Sequence, residues 1–109
     1  MAIDLNKPWL PLDEENATML GGHLGVYQLG RADGTVVYIG YAGARSLFGL
    51  RSELLAQVGV ATSFRVEVTH AYHTRYRELL MLHRARNGAL PELNDAASGA
   101  PLGRLSPAS

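Results

Sequence analysis

Two short runs of sheet-forming residues, His23–Leu29 and Thr35–Tyr41, are separated by the five residues Gly30-Arg31-Ala32-Asp33-Gly34. The spacer ends in Asp-Gly, which supplies at low cost the positive φ that a tight strand reversal needs. Val, Tyr and Ile in both runs suit a pleated, half-buried surface. The pair predicts a β-hairpin over residues 23–41, and the rest of a short chain must pack around it.

Leu47, Leu50, Leu54 and Val58 recur at helical spacing and predict a helix over 47–58, stopped by Gly59. Phe64-Arg65-Val66-Glu67-Val68-Thr69 alternates apolar with polar and predicts a third strand with one wet face. A second helix is expected over 74–87, with Thr74 as N-cap, Gly88 as stop, and Tyr72, Tyr76, Leu79, Leu80 and His83 as its apolar stripe. The order β-β-α-β-α describes an α/β (α+β) domain: a three-stranded, mostly antiparallel sheet flanked by helices. Residues 1–20 read as a lead-in. Its Trp9-Leu10 pair packs as a strap, and a short helix over 13–20 is capped by Asp13. The domain proper covers 21–95, and the Ala-, Ser-, Gly- and Pro-rich stretch 96–109 reads as a loose tail.

Composition narrows the chemistry. No cysteine is present, which excludes a disulfide scaffold, a thiol nucleophile and cysteine-ligated metal. No apolar run reaches membrane-spanning length and the N-terminus is not a secretory signal, so the expected compartment is the cytoplasm, with no membrane partner. Ten basic and ten acidic residues cancel, so net charge does not announce a polyanion partner. Nearly all the cations are arginine, whose planar fork suits phosphate or carboxylate, although genomic composition explains such usage equally well.

Tyr27 and Tyr38 fall on adjacent strands. With the turn centred near Ala32-Asp33 they are expected almost opposite one another, on one face. Two phenols then converge, either as plain packing or as a site. Gly25 and Gly40 lie inside the strands, where glycine weakens a sheet and marks the close approach of a ligand or another backbone.

The pattern Gly25-Val26-Tyr27, then Tyr38-Ile39-Gly40, resembles the signature of the GIY-YIG nuclease family. Further features extend the resemblance from Gly25 to Asn94: Arg51 in the helix after the second motif, Glu78 early in a later helix, and Pro91 followed by Asn94. The resemblance is to small standalone members, and it implies a metal-dependent endonuclease that hydrolyses DNA phosphodiester bonds. By that resemblance Glu78 holds one Mg²⁺ or Mn²⁺, an ion that accepts carboxylate, water and phosphate oxygens. Arg51 holds a non-bridging oxygen and stabilises developing charge. Tyr27 activates or orients the attacking water, and Tyr38 orients water or phosphate. Gly25, Gly40, Tyr41, Arg45 and Asn94 support the site.

The chain also departs from the pattern. The gap from Gly40 to Arg51 is longer than in many members, which makes Arg45 a rival for the catalytic arginine. The position one turn after Arg51 is Leu55, which transfers no proton; His23 or Tyr41 would have to compensate. Arg31, Arg45, Arg75, Arg77, Arg84 and Arg86 form either a basic rim for DNA or merely solvated faces. The alternative is a non-catalytic nucleic-acid-binding or protein-interaction module on the same scaffold. A homodimer or a recruiting partner protein is compatible with either. His83 reads as a core residue, no His-Glu-x-x-His motif or phosphate loop is present, and the tyrosines look too scattered for a base-stacking platform.

Overall fold

The structure is a computed structural model that describes residue 5, residues 7–43 and residues 48–94. Seven elements follow in order: β1 (Leu10–Pro11), α1 (Glu14–Thr18), β2 (Gly25–Gly30), β3 (Val36–Ala42), α2 (Gly49–Ala56), β4 (Ser63–Val68) and α3 (Tyr72–Asn87). The fold is α+β, with the expected β-β-α-β-α order from β2 to α3. The sheet has four strands rather than three, in the order β1-β4-β2-β3, and every pairing is antiparallel.

The extra strand is the strap. Leu10 pairs with Phe64 and Pro11 with Ser63. Trp9 anchors the strap, with the Arg65 guanidinium stacked 4.3 Å above its ring. The Trp9 ring also lies over Gly30, where a Cβ would stand 2.7 Å from it. Asp13 caps α1 as expected, accepting from the Asn16 backbone N–H at 2.8 Å.

The hairpin turn is built as its sequence demands. Gly34 takes φ 89°, and Asp33 Oδ1 accepts from the Thr35 N–H at 2.9 Å. The register, however, is shifted by two. Tyr27 faces Gly40 and Leu29 faces Tyr38, with a bulge between Leu29 and Gly30 that absorbs an extra residue of β3. A two-residue shift keeps every side chain on its face. Tyr27 and Tyr38 are therefore diagonal neighbours on one face, not opposite partners.

The two faces carry different helices. Tyr27, Leu29, Val37, Ala42 and Phe64 pack with Leu50 and Leu54 of α2 and Ala17 of α1. Val26 and Ile39 pack on the other face with Leu79 of α3 and Leu5. Gly49 opens α2 at φ 59°, and any Cβ there would collide with the Gly22–His23 backbone. That close approach lets Leu50 N donate to His23 O at 2.9 Å and fixes α2 against the entrance to β2. The expected Thr74 cap is displaced: α3 begins at Tyr72, after Ala71, whose N–H donates to Thr69 Oγ1. Gly88 ends α3 at φ 77°, as its sequence position demands. No helix of the described residues is long and apolar enough to cross a membrane.

Candidate functional site

Gly40 is what lets the two tyrosines meet. A Cβ on Gly40 would lie inside the Tyr27 phenol, so the missing side chain is the space through which Tyr27 extends from central β2 across β3. The Tyr27 and Tyr38 ring centroids stand 6.0 Å apart at an interplanar angle of 41°. Gly25 serves a different close approach, because a Cβ there would strike the Glu67 carbonyl of β4. Both glycines thus accommodate neighbours within the chain.

Tyr27 is 1% exposed and Tyr38 is half-buried. The Tyr27 phenol lies against the Tyr38 ring, and the Gln57 side chain at the end of α2 influences it. Burial pushes the Tyr27 phenol far above the usual tyrosine range, and the nearby Tyr38 and Glu53 add to the shift. Burial also raises Tyr38, against the hydrogen bond from Tyr27 that lowers it, with Glu53 again raising it. Both phenols are neutral at physiological pH. They can donate and accept hydrogen bonds and orient a bound group, but neither is a base there.

The charged residues of the expected site are not gathered with them. Glu53, not Arg51, is the charge that α2 presents to the tyrosines. Successive helical residues turn by about 100°, so Arg51 projects about 160° away from Glu53, and it is exposed. Arg45 lies outside the described residues. Glu78 sits on α3, across the sheet. There Arg75 holds Glu67 by two bonds of 2.9 and 3.1 Å and reaches Glu78 Oε1 at 3.3 Å. Glu67 faces Val26, on the face that α3 covers. The structure therefore brings Tyr27, Tyr38 and Gly40 together and sets Glu78 and Arg51 apart from them.

Asn94 is brought to β3. Its Oδ1 accepts from Ile39 N at 2.7 Å and its Nδ2 donates to Ile39 O at 2.9 Å. It is 6% exposed and clamps the edge strand between Tyr38 and Gly40. Tyr41 belongs to a ring cluster that spacing alone did not reveal. Its ring stacks with Tyr72 at 5.7 Å, meets Tyr76 edge-on at 4.9 Å and lies 4.8 Å from His73. Gly43 makes room for the Tyr72 ring as Gly40 does for Tyr27. Burial raises the Tyr76 phenol, and the charges that Tyr38 and Tyr41 would carry when ionised add to the shift. His73 is exposed and the three tyrosines of the cluster are half-buried. The tyrosines therefore do gather, contrary to their scattered look in the sequence. Glu53 and Gln57 were also missed. Their signal was an i, i+4 pair beside the buried Leu50 and Leu54.

Among the described residues, no three His, Cys, Asp or Glu side chains come together as a metal would need. A single carboxylate can suffice when phosphate and water complete the shell. Glu78, however, shares an oxygen with the Arg75 guanidinium and lies across the sheet from the phenols. The residues present do not fit a divalent ion shared between Glu78 and the tyrosine pair.

No curated protein and no solved structure matches the chain. Residues 3–86 match the model of a domain of unknown function, DUF7508, which takes in both tyrosines, α2 and nearly all of α3. The chain belongs to the DUF7508 family.

Proposed function

We propose that this chain binds nucleic acid along the β3 edge, as a cytoplasmic DNA-binding module on a GIY-YIG-like scaffold. One observation carries the reading: Tyr41 of the edge strand β3 forms a partly exposed aromatic cluster with Tyr72, His73 and Tyr76 of α3. Bases stack on such rings whatever their identity, each worth about 1–3 kcal/mol. Arg77, exposed one helical turn after His73, supplies a cation for the adjacent phosphate. A buried neutral Tyr27, which is no base at physiological pH, supports binding over hydrolysis.

The second reading is metal-dependent endonuclease activity on DNA. The order Tyr27, Tyr38, Arg51, Glu78, Asn94 and the contact between the two phenols favour it. Fluorescence anisotropy with a labelled oligonucleotide and nicking of supercoiled plasmid with Mg²⁺, Mn²⁺ or EDTA separate the two. The binding reading expects anisotropy that His73→Ala weakens by about fivefold or more, a salt slope about one unit shallower in Arg77→Gln, and no nicking. Nicking that needs the metal and is lost in Glu78→Ala establishes the second reading. Absence of both binding and nicking defeats both.

A further inference from the structure

The chain as a whole is neutral, but positive charge is gathered on α3, whose 16 residues hold four arginines and one glutamate. Arg75 is engaged with Glu67 and Glu78, and its contact with Glu78 at 3.3 Å draws that carboxylate to its own side of the helix. Successive helical residues turn by about 100°, so His73, Arg77, Met81 and Arg84 fall within an arc of about 80° and form a ridge about 16 Å long. The ridge lies on the side of α3 opposite the buried Leu79. All four residues are exposed, Met81 at 70%. Arg77 and Arg84 have no ion-pair partner among the described residues. At the start of the ridge the His73 ring lies 4.8 Å from Tyr41 and 5.0 Å from Tyr72.

We infer that this ridge is a track for one unpaired nucleic-acid strand, running from the ring cluster along the outer face of α3 to Arg84. The inference rests on the nucleic-acid binding proposed above and adds the strand state and the path. Rings take up bases by stacking only when those bases are not already stacked in a duplex. Arg77 and Arg84 supply cations for successive stretches of backbone, and a guanidinium fork matches phosphate oxygens. Met81 stands between them, a flexible apolar side chain whose sulfur makes favourable contacts with aromatic rings. A lone exposed apolar residue is ordinary. This one is aligned with two cations and a ring cluster, which is the mixture of charge and apolar surface that a single strand needs.

The charge balance points the same way. Duplex affinity comes largely from counterions released by many phosphate contacts, and a neutral chain with two such cations on the ridge neutralises few of them. A strand held chiefly by stacking depends less on that release.

The test is fluorescence anisotropy of the full chain with a labelled 12-nucleotide DNA, the same sequence as RNA, and the DNA annealed to its complement. Either single strand should bind about tenfold or more tighter than the duplex, and the tighter of the two identifies the sugar preferred. Arg84→Gln should weaken single-strand binding about threefold or more and make the salt slope about 0.7 unit shallower. Met81→Glu, which sets a negative charge between the two arginines, should weaken it about tenfold. Arg31→Gln, which removes the same charge at the hairpin turn, should stay within about twofold of the parent. Duplex binding as tight as single-strand binding overturns the strand preference. Arg84→Gln and Met81→Glu without effect, or Arg31→Gln as damaging as Arg84→Gln, overturns the path; in each of these cases weakening by His73→Ala leaves the nucleic-acid reading standing. Absence of binding to all three probes defeats that reading and the track together.

Discussion

Replacing Gly40 with alanine puts a methyl group where the Tyr27 ring already lies. The new Cβ would stand 2.5 Å from the Tyr27 hydroxyl oxygen and 2.8 Å from Cε2. Comfortable contacts between such atoms begin at about 3.5 Å, so something must move by about 1 Å. The ring has little freedom: it is 1% exposed and packed in one cluster with Leu29, Phe64, Leu50 and Leu54. Asn94 restrains the strand by clamping Ile39 from outside. Overpacking of this kind destabilises by about 1–3 kcal/mol, and about 2 kcal/mol in a domain of this size lowers Tm by about 8–16 °C. Urea denaturation followed by circular dichroism measures it, with an unchanged slope expected. The decisive comparison is the double variant. Tyr27→Leu removes the obstructing ring, so Gly40→Ala should be milder in that background by about 1 kcal/mol or more. Tyr27→Phe removes only the hydroxyl and should give much less relief. A Gly40→Ala variant within about 0.5 kcal/mol of the parent, or equally damaging in both backgrounds, refutes the role assigned to the glycine.

Asn94→Ala leaves the buried Ile39 N–H and carbonyl without their side-chain partner; a loss of about 2–4 kcal/mol is expected, with faster hydrogen exchange at the Ile39 amide, and unchanged exchange there would contradict the clamp. Arg75→Met removes the guanidinium that holds Glu67 at two points in a half-buried setting and should destabilise by about 1–2 kcal/mol, whereas Glu78→Ala, losing one longer and more exposed contact, should cost less than about 0.5 kcal/mol; equal losses would show that Glu78 is not a peripheral member of the pair. The folded-state pKa values of Tyr27, Tyr38 and Tyr76 are raised by burial above the ordinary value of about 10, so the folded chain keeps protons that the unfolded chain releases. Stability is therefore full below about pH 10 and falls as pH climbs past it, and Tyr27→Phe should flatten that fall; phenolate absorbance of Tyr27 appearing reversibly before secondary structure is lost would contradict this.

Much of the fold is legible in the sequence because short-range chemistry dictates it. Asp33-Gly34 builds its turn from its own side chain and a positive φ, Asp13 caps α1, and Gly88 ends α3. What escapes is whatever a distant partner decides. Leu10-Pro11 carries no periodic signal and becomes a strand only because Phe64 and Ser63 are beside it. The hairpin register depends on one extra residue in β3, which turn composition does not encode. The candidate site divides the same way. The tyrosine pair follows from strand parity, which survives a shift of two. The separation of Glu78 from that pair follows from α2 and α3 covering opposite faces, and no spacing of motifs along a chain reveals which face a helix takes. Tyr72 and Tyr76 were visible as a helical stripe, but their gathering on Tyr41 required the sheet beneath them.

Asn94 has a consequence beyond the strand it holds. Outermost strands invite recruitment of foreign backbone, because their outward amides and carbonyls are ready-made sockets. Here a carboxamide, itself a miniature peptide group, plugs the socket at the midpoint of β3, while the opposite border of the sheet is a two-residue strand that includes an imino acid with no hydrogen to offer. An invading chain, whether a second copy in a crowded cell or a growing fibril, would first have to evict that plug.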